Sequence, residues 1–126
     1  MPEILTDLYN IVEKRKAERE KDSYTVYLLD AGLDKILKKL GEETAETVIA
    51  AKNLERVLCA ARPETEKAVS CEEREALKGE VADLLYHLIV MLYELGVEPD
   101  EVETLLRDRM KKSGNLKEVY QTDKDS

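Results

Sequence analysis

The chain has no tryptophan, no phenylalanine and one histidine, with only two cysteines, three prolines and five glycines in 126 residues. So few turn-forming residues leave little punctuation for a sheet, and the abundance of Glu, Leu, Lys, Ala and Val is a helical composition, so an all-β fold is excluded. Cys59 and Cys71 have no close-spaced partner. With one histidine, that argues against a cysteine-based zinc site and reads instead as two free, buried or half-buried thiols in a reducing compartment. Long hydrophobic runs are also missing. The longest, Val81 to Leu95, is interrupted by Asp83, His87 and Glu94 and is too short to span a bilayer. Met1 to Asn10 lacks the basic start and apolar run of a signal peptide, so a cytoplasmic protein is expected. Positive charge is in deficit, 20 basic against 28 acidic residues for a net charge of -8, which disfavours a nucleic acid or an anionic membrane as partner. An acidic chain that handles anions needs metal ions to do so.

What is present is a hydrophobic fraction of 43%, enough for one compact domain with a real core. Residues 1–112 carry that domain, and the polar stretch 113–126 reads as a loose tail. Ile4, Leu5, Leu8, Ile11 and Val12 recur at helical spacing and run on into the charged Glu13 to Lys21. Ser23 reads as the N-cap of a short helix ending at Gly32. From Leu33, one stripe of Ile36, Leu37, Leu40, Thr44, Thr47, Val48 and Ala51 predicts a long helix ending between Asn53 and Ala61. Pro63 forbids its simple continuation, and the polar Pro63 to Lys78 reads as a connector with some helix of its own. A further long helix, from about Glu72 or Ala76 to Leu95, is apolar nearly all round and is expected to be buried on several sides. Gly96 stops it, Pro99 starts the last helix, and Val102, Leu105, Leu106 and Met110 are expected on that helix's inner face. The expected fold is an all-α bundle of about four to five helices. Two such long helices with only short ones to cover them suggest that a homodimer completes it.

At about 100° per residue, Glu43 and Glu46 lie about 60° apart on one side of the long helix, bordering its apolar stripe, with Lys35, Lys39 and Glu42 on the same flank. The same arithmetic puts Glu80, Asp83 and His87 on one narrow strip of the apolar helix. Carboxylates turned into a helical interior cost several kcal/mol each unless protons, Lys or Arg, or a metal neutralise them. Four together with no nearby arginine favour a metal, and hard oxygen ligands at this density suit Mg²⁺ or Mn²⁺. Lys35 and Lys39, one to two turns before Glu43, are placed to meet a phosphate that the ions also hold. A solvated charged face explains Glu42 and Glu55 but not acids embedded in Glu80 to Leu95. A ferritin-like di-metal bundle needs a Glu-x-x-His pair on each of two helices, and His87 falls four residues after Asp83. The residues support a Mg²⁺-dependent phosphate-anhydride site and do not name its substrate.

At these residues the chain resembles the phosphoribosyl-ATP pyrophosphatase family, within the all-α nucleotide pyrophosphohydrolase superfamily related to MazG. The superfamily pattern E-E-x-x-E followed by E-x-x-D stands here as Glu42-Glu43-Thr44-Ala45-Glu46 and Glu80-Val81-Ala82-Asp83. The narrower family context is Ser23-Tyr24-Thr25, Gly32, Lys35-Ile36, Lys39, Gly41-Glu42-Glu43 and Asp83-Leu84-Leu85-Tyr86-His87-Leu88, over about Leu5 to Arg109. The resemblance implies hydrolysis of the α,β anhydride of 1-(5-phosphoribosyl)-ATP to phosphoribosyl-AMP and pyrophosphate, a step of histidine biosynthesis, with Mg²⁺ and in a homodimer. It implies Glu43, Glu46, Glu80 and Asp83 as metal ligands, with Glu42 as a further ligand, an outer acceptor or the base that orients water. The departure is Asn53 to Lys78, longer than expected between the two acidic motifs.

Around the acids, Lys35 and Lys39 are candidates to hold phosphate oxygens, each weighed against an ordinary surface lysine. Tyr24 and Tyr86 are candidates to contact base or ribose, or else core tyrosines with tethered hydroxyls. His87 can meet a ligand carboxylate or a phosphate, but a structural role is favoured. Ser23 is read first as an N-cap, with phosphate contact second. Two rival functions stand beside the anhydride hydrolase of the adduct. One is a housecleaning nucleoside triphosphate pyrophosphohydrolase with the same metal site. The other is a non-catalytic helical dimerisation module.

Overall fold

Among the described residues the chain's own punctuation sets off five helices. The computed structural model describes residues 3–60 and 66–112, and the side chains of 3–60 and 72–112. Helix α1 is Glu3–Glu18, α2 Tyr24–Ala31, α3 Leu33–Ala60, α4 Glu66–Leu95 and α5 Pro99–Lys111. Every regular element among the described residues is helical, and no helix there is long and apolar enough to cross a membrane. The expectations for Pro63, the side chain of Cys71 and the tail 113–126 fall outside the described residues.

The boundaries follow from local backbone chemistry. The turn after α1 uses two left-handed residues, Arg19 at φ 49 and Asp22 at φ 68, and is tied to α2 by the Arg19–Asp30 ion pair at 2.7 Å. Ser23 caps α2, its hydroxyl accepting from the Val26 amide at 3.3 Å. Gly32, at φ 99, separates α2 from α3 where a side chain would be strained. At the end of α4 the amides of Gly96 and Val97 donate to the carbonyls of Tyr93 and Leu92, the paired bonds of a Schellman motif, with Gly96 at φ 73. Pro99 then opens α5 at the position where a missing N–H costs nothing.

Helices α3 and α4 make the most extensive contact in the chain. The Thr47 hydroxyl reaches the Glu80 carbonyl at 3.4 Å, and Val57 shares a cleft with Glu73, so pairing numbers fall on one helix as they rise on the other. The two run antiparallel. The core lies at the end of this hairpin where α1 and α2 close it. There Val12, Leu28, Ile36, Ile89 and Val90 are buried together, with Leu5, Leu8, Tyr9, Leu92 and Tyr93 packed around them. Tyr9 meets Tyr93 edge on, with 5.3 Å between centroids.

Four expectations change. Helix α4 starts at Glu66, so most of Pro63 to Lys78 is helix and not connector. Glu and Lys are as good helix formers as most apolar residues, Ala is better still, and nothing after Pro63 breaks the run. Helix α4 is enclosed on all sides only over its later turns, where every residue from Tyr86 to Tyr93 is buried or half-buried, while Val81 and Leu85 before them are 37% and 41% exposed. Among the described residues helix α5 packs chiefly on α1, leaving Val102, Leu105, Leu106 and Met110 exposed in the single chain. Periodicity identifies an apolar face but not the neighbour that covers it. Cys59 is a free thiol, exposed and not half-buried.

Candidate metal centre

Glu43 and Glu46 project from α3 one turn apart, and Glu80 faces them from α4. A carboxylate oxygen from each lies within 4.8 Å of the others. Thr47 holds the two helices in register here, donating to Glu43's carbonyl at 2.8 Å and reaching Glu80's at 3.4 Å. Two of the carboxylate oxygens, Oε2 of Glu43 and Oε2 of Glu80, are buried without any hydrogen-bond partner. Buried acceptors are normally satisfied, and no lysine or arginine is paired to these three acids among the described residues. Burial raises the Glu43 carboxyl above its ordinary range, with Glu46 and Asp83 adding repulsion and His87 opposing it. Glu80 is raised chiefly by a hydrogen bond with Glu46, then by burial and the neighbouring acids. Glu43 and Glu80 are therefore harder to ionise together here than as isolated carboxyls. The site's donor set of hard oxygens, two of them orphaned, fits a small divalent ion.

Asp83 lies outside this group of three. It is exposed, and its charge acts on both Glu43 and Glu80. Glu42 is exposed on the outer side of α3, where it pairs with Lys39 at 3.4 Å. A cleft of about 590 Å³ opens between α3 and α4 with Glu46 and Glu80 in its wall, so the acids are reachable from solvent.

On the other side of the acids, α2 brings a group of aromatic side chains. His87 is 4% exposed, and its Nδ1 lies 2.7 Å from the Asp83 carbonyl, which can only accept. Nδ1 therefore carries a hydrogen, and in the neutral ring Nε2 accepts from the Tyr24 hydroxyl at 2.9 Å. His87 is thus a satisfied buried residue that ties α2 to the acidic strip of α4. Tyr86 is tethered as well, through its hydroxyl to that of Thr25. Burial raises the Tyr24 hydroxyl, and the charges of Lys39 and Glu43 both act on it, in opposite directions. Lys35 is held over the Tyr27 ring, 5.9 Å from its centroid.

Sequence reasoning missed Thr25, Thr47 and Tyr27. A threonine inside an apolar stripe is the one available signal for Thr47. Thr25 depends on how α2 meets α4, and Tyr27 on how α2 meets the start of α3. Ser23 acts as the helix cap here, which sets a test: Ser23→Ala should lower unfolding stability by about 1 kcal/mol in chemical denaturation while KM for substrate stays unchanged. A raised KM at unchanged stability would assign the hydroxyl to phosphate instead.

Comparison with known proteins adds four findings. A family model described as phosphoribosyl-ATP pyrophosphohydrolase matches residues 5–110. The chain is 45% identical over 113 residues to a phosphoribosyl-ATP pyrophosphatase of Streptococcus sanguinis, covering 90% of this chain and 91% of that protein. It is 36% identical over 115 residues to a protein of the same name from Clostridium novyi, covering 91% and 88%. It is also 43% identical over 106 residues to a histidine biosynthesis bifunctional protein of Halalkalibacterium halodurans, where it spans 42% of the longer chain.

Proposed function

The chain belongs to the phosphoribosyl-ATP pyrophosphohydrolase family, and from that premise we propose that it hydrolyses 1-(5-phosphoribosyl)-ATP at the α,β anhydride, giving phosphoribosyl-AMP and pyrophosphate in histidine biosynthesis. The observation that carries the reading is the pair of buried, unpartnered oxygens of Glu43 and Glu80 beside Glu46. Those three acids, with Asp83 one turn from Glu80, would hold Mg²⁺, for which Mn²⁺ can substitute. A bound divalent ion supplies charge neutralisation at the phosphates and lowers the pKa of water.

The chain's own side chains do the rest of the positioning. Lys39, resting on Glu42, exchanges that exposed carboxylate for a phosphate oxygen, and Glu42 is then free to accept from water at the edge of the site. The Tyr24 hydroxyl and His87 keep the Asp83 turn fixed against α2. Val48, Ile49, Val81 and Leu85 are exposed along α3 and α4, and a second copy of the chain covering them completes the bundle as a homodimer. The setting is the cytoplasm, where this biosynthetic substrate is made and used.

The test is pyrophosphate release by the purified protein with Mg²⁺, comparing phosphoribosyl-ATP with ATP and the dNTPs. We expect kcat/KM for the adduct to exceed that for free nucleotides by about 100-fold or more. Comparable release from the dNTPs would move the chain to the housecleaning branch with the same acids. No release from any of them would remove the hydrolytic reading.

A further inference from the structure

Helix α2 presents two tyrosine rings to which the hydrolytic reading gives no role beyond the tether of the Tyr24 hydroxyl to His87. Tyr24 and Tyr27 are 42% and 50% exposed. Their rings are inclined by 28° with centroids 6.1 Å apart. A pair at that spacing is strongly offset, so neither ring covers the other's face. The helix beneath them is held rigidly. Leu28 and Thr25 beside them are buried, Ser23 caps its start, and the Tyr24 hydroxyl is fixed on His87 at 2.9 Å. Tyr24 also lies against Tyr86, with 6.4 Å between centroids.

The surroundings say what such a surface receives. One end adjoins the acids, since the charges of Glu43 and Lys39 both reach the Tyr24 hydroxyl. The other end carries Lys35 over Tyr27, and Lys35 has no carboxylate partner among the described residues. An uncharged aromatic surface flanked by two lysines and leading away from a metal site matches a nucleotide whose phosphates sit at the metal and whose base extends outward. Flat heteroaromatic bases stack on tyrosine faces, and the contact needs no specific hydrogen bonds.

We propose that Tyr24 and Tyr27 form the stacking platform for the adenine ring of the substrate, with Tyr27 as its outer, affinity-determining side chain and Lys35 meeting a phosphate oxygen at its rim. This rests on the reading of the acids as a nucleotide phosphate site and adds the subsite for the base. Tyr86, whose hydroxyl is tethered to Thr25, supports the platform from behind and does not touch the base.

The experiment compares binding of ATP and of inorganic triphosphate by calorimetry, with Ca²⁺ in place of Mg²⁺ to suppress turnover. Wild-type protein should bind ATP about tenfold more tightly than triphosphate, within the range that base stacking supplies. Tyr27→Ala should lose that advantage and keep its triphosphate affinity, and Tyr27→Phe should restore it. Tyr27→Leu, which keeps bulk without an aromatic face, carries the same expectation as Tyr27→Ala if the alanine variant does not fold. The platform is overturned if wild-type protein shows no preference for ATP, or if the leucine variant keeps it. It is equally overturned if losing the ring changes the oligomeric state in sedimentation and weakens triphosphate equally, because Tyr27 then belongs to an interface between copies. Binding is read without turnover. Failure to hydrolyse phosphoribosyl-ATP would leave the platform standing, and loss of the platform would leave the hydrolytic assignment standing.

Discussion

Glu46→Gln should lower kcat by about 10³-fold, roughly 4 kcal/mol of transition-state stabilisation at 1.36 kcal/mol per decade, while the helices remain intact. Glu46 stands between Glu43 and Glu80, and a carboxylate oxygen from each of the three lies within 4.8 Å of the others. The amide keeps the side chain's shape but removes one anionic ligand and the charge that attracts a cation. The same change should raise the melting temperature of the metal-free protein at neutral pH. It relieves repulsion among acids that the packing of α3 on α4 holds together. Activity falling while stability rises separates a binding site from a structural cluster, in which both would fall. Steady-state kinetics and calorimetric melting on the one variant check both halves. A normal rate would remove Glu46 from the site.

Mg²⁺ should raise the melting temperature of the wild-type protein by about 10 °C at neutral pH and hardly at all near pH 4. At a concentration 100 times its Kd, a ligand that binds only the folded state contributes about 2.7 kcal/mol, and a domain of this size shifts by about 4 °C per kcal/mol. The pH dependence comes from Glu43 and Glu80. Both are raised above the ordinary value of 4.5, Glu43 by burial and Glu80 by its hydrogen bond with Glu46. A carboxyl with a raised folded-state pKa stabilises the fold fully below the unfolded value and loses that contribution as pH climbs through the folded one. The metal-free protein should thus weaken as pH rises above about 4.5 through the carboxylate range. Mg²⁺ requires the ionised acids and compensates over the same range, so the difference between melts with and without metal grows with pH. Scanning calorimetry from pH 4 to 8 at fixed ionic strength reads it. A pH-independent Mg²⁺ effect, or none, would mean that these carboxyls do not hold the ion.

The parts of this architecture that were legible beforehand are those set by neighbouring residues. Ser23, Gly32, Gly96 and Pro99 act through their own backbone and side-chain chemistry, and each boundary falls where they stand. Glu43 and Glu46 share a side of α3 because three residues make nearly one turn, and Glu80 meets them because its helix runs back alongside. What depends on the fit between helices was not legible. Spacing puts Asp83 one turn from Glu80 but does not say which turn faces α3, and the structure leaves Asp83 outside the group of three. The Thr47 to Glu80 bond and the Thr25 to Tyr86 contact depend on register between helices that no single helix encodes. The start of α4 at Glu66 was hidden because a charged, glutamate-rich segment reads equally as connector and as solvated helix. The apolar face of α5 was recognised correctly as apolar, and its exposure reflects how little of that helix its main neighbour α1 covers among the described residues.

Crystals grown with Mn²⁺, measured at a wavelength where manganese scatters anomalously, test the central claim most directly. The account predicts an anomalous peak about 2.1 Å from carboxylate oxygens of Glu43, Glu46 and Glu80, with the Oε2 atoms of Glu43 and Glu80 among its ligands. A peak elsewhere, or three acids bridged only by protons and water at saturating Mn²⁺, would contradict it.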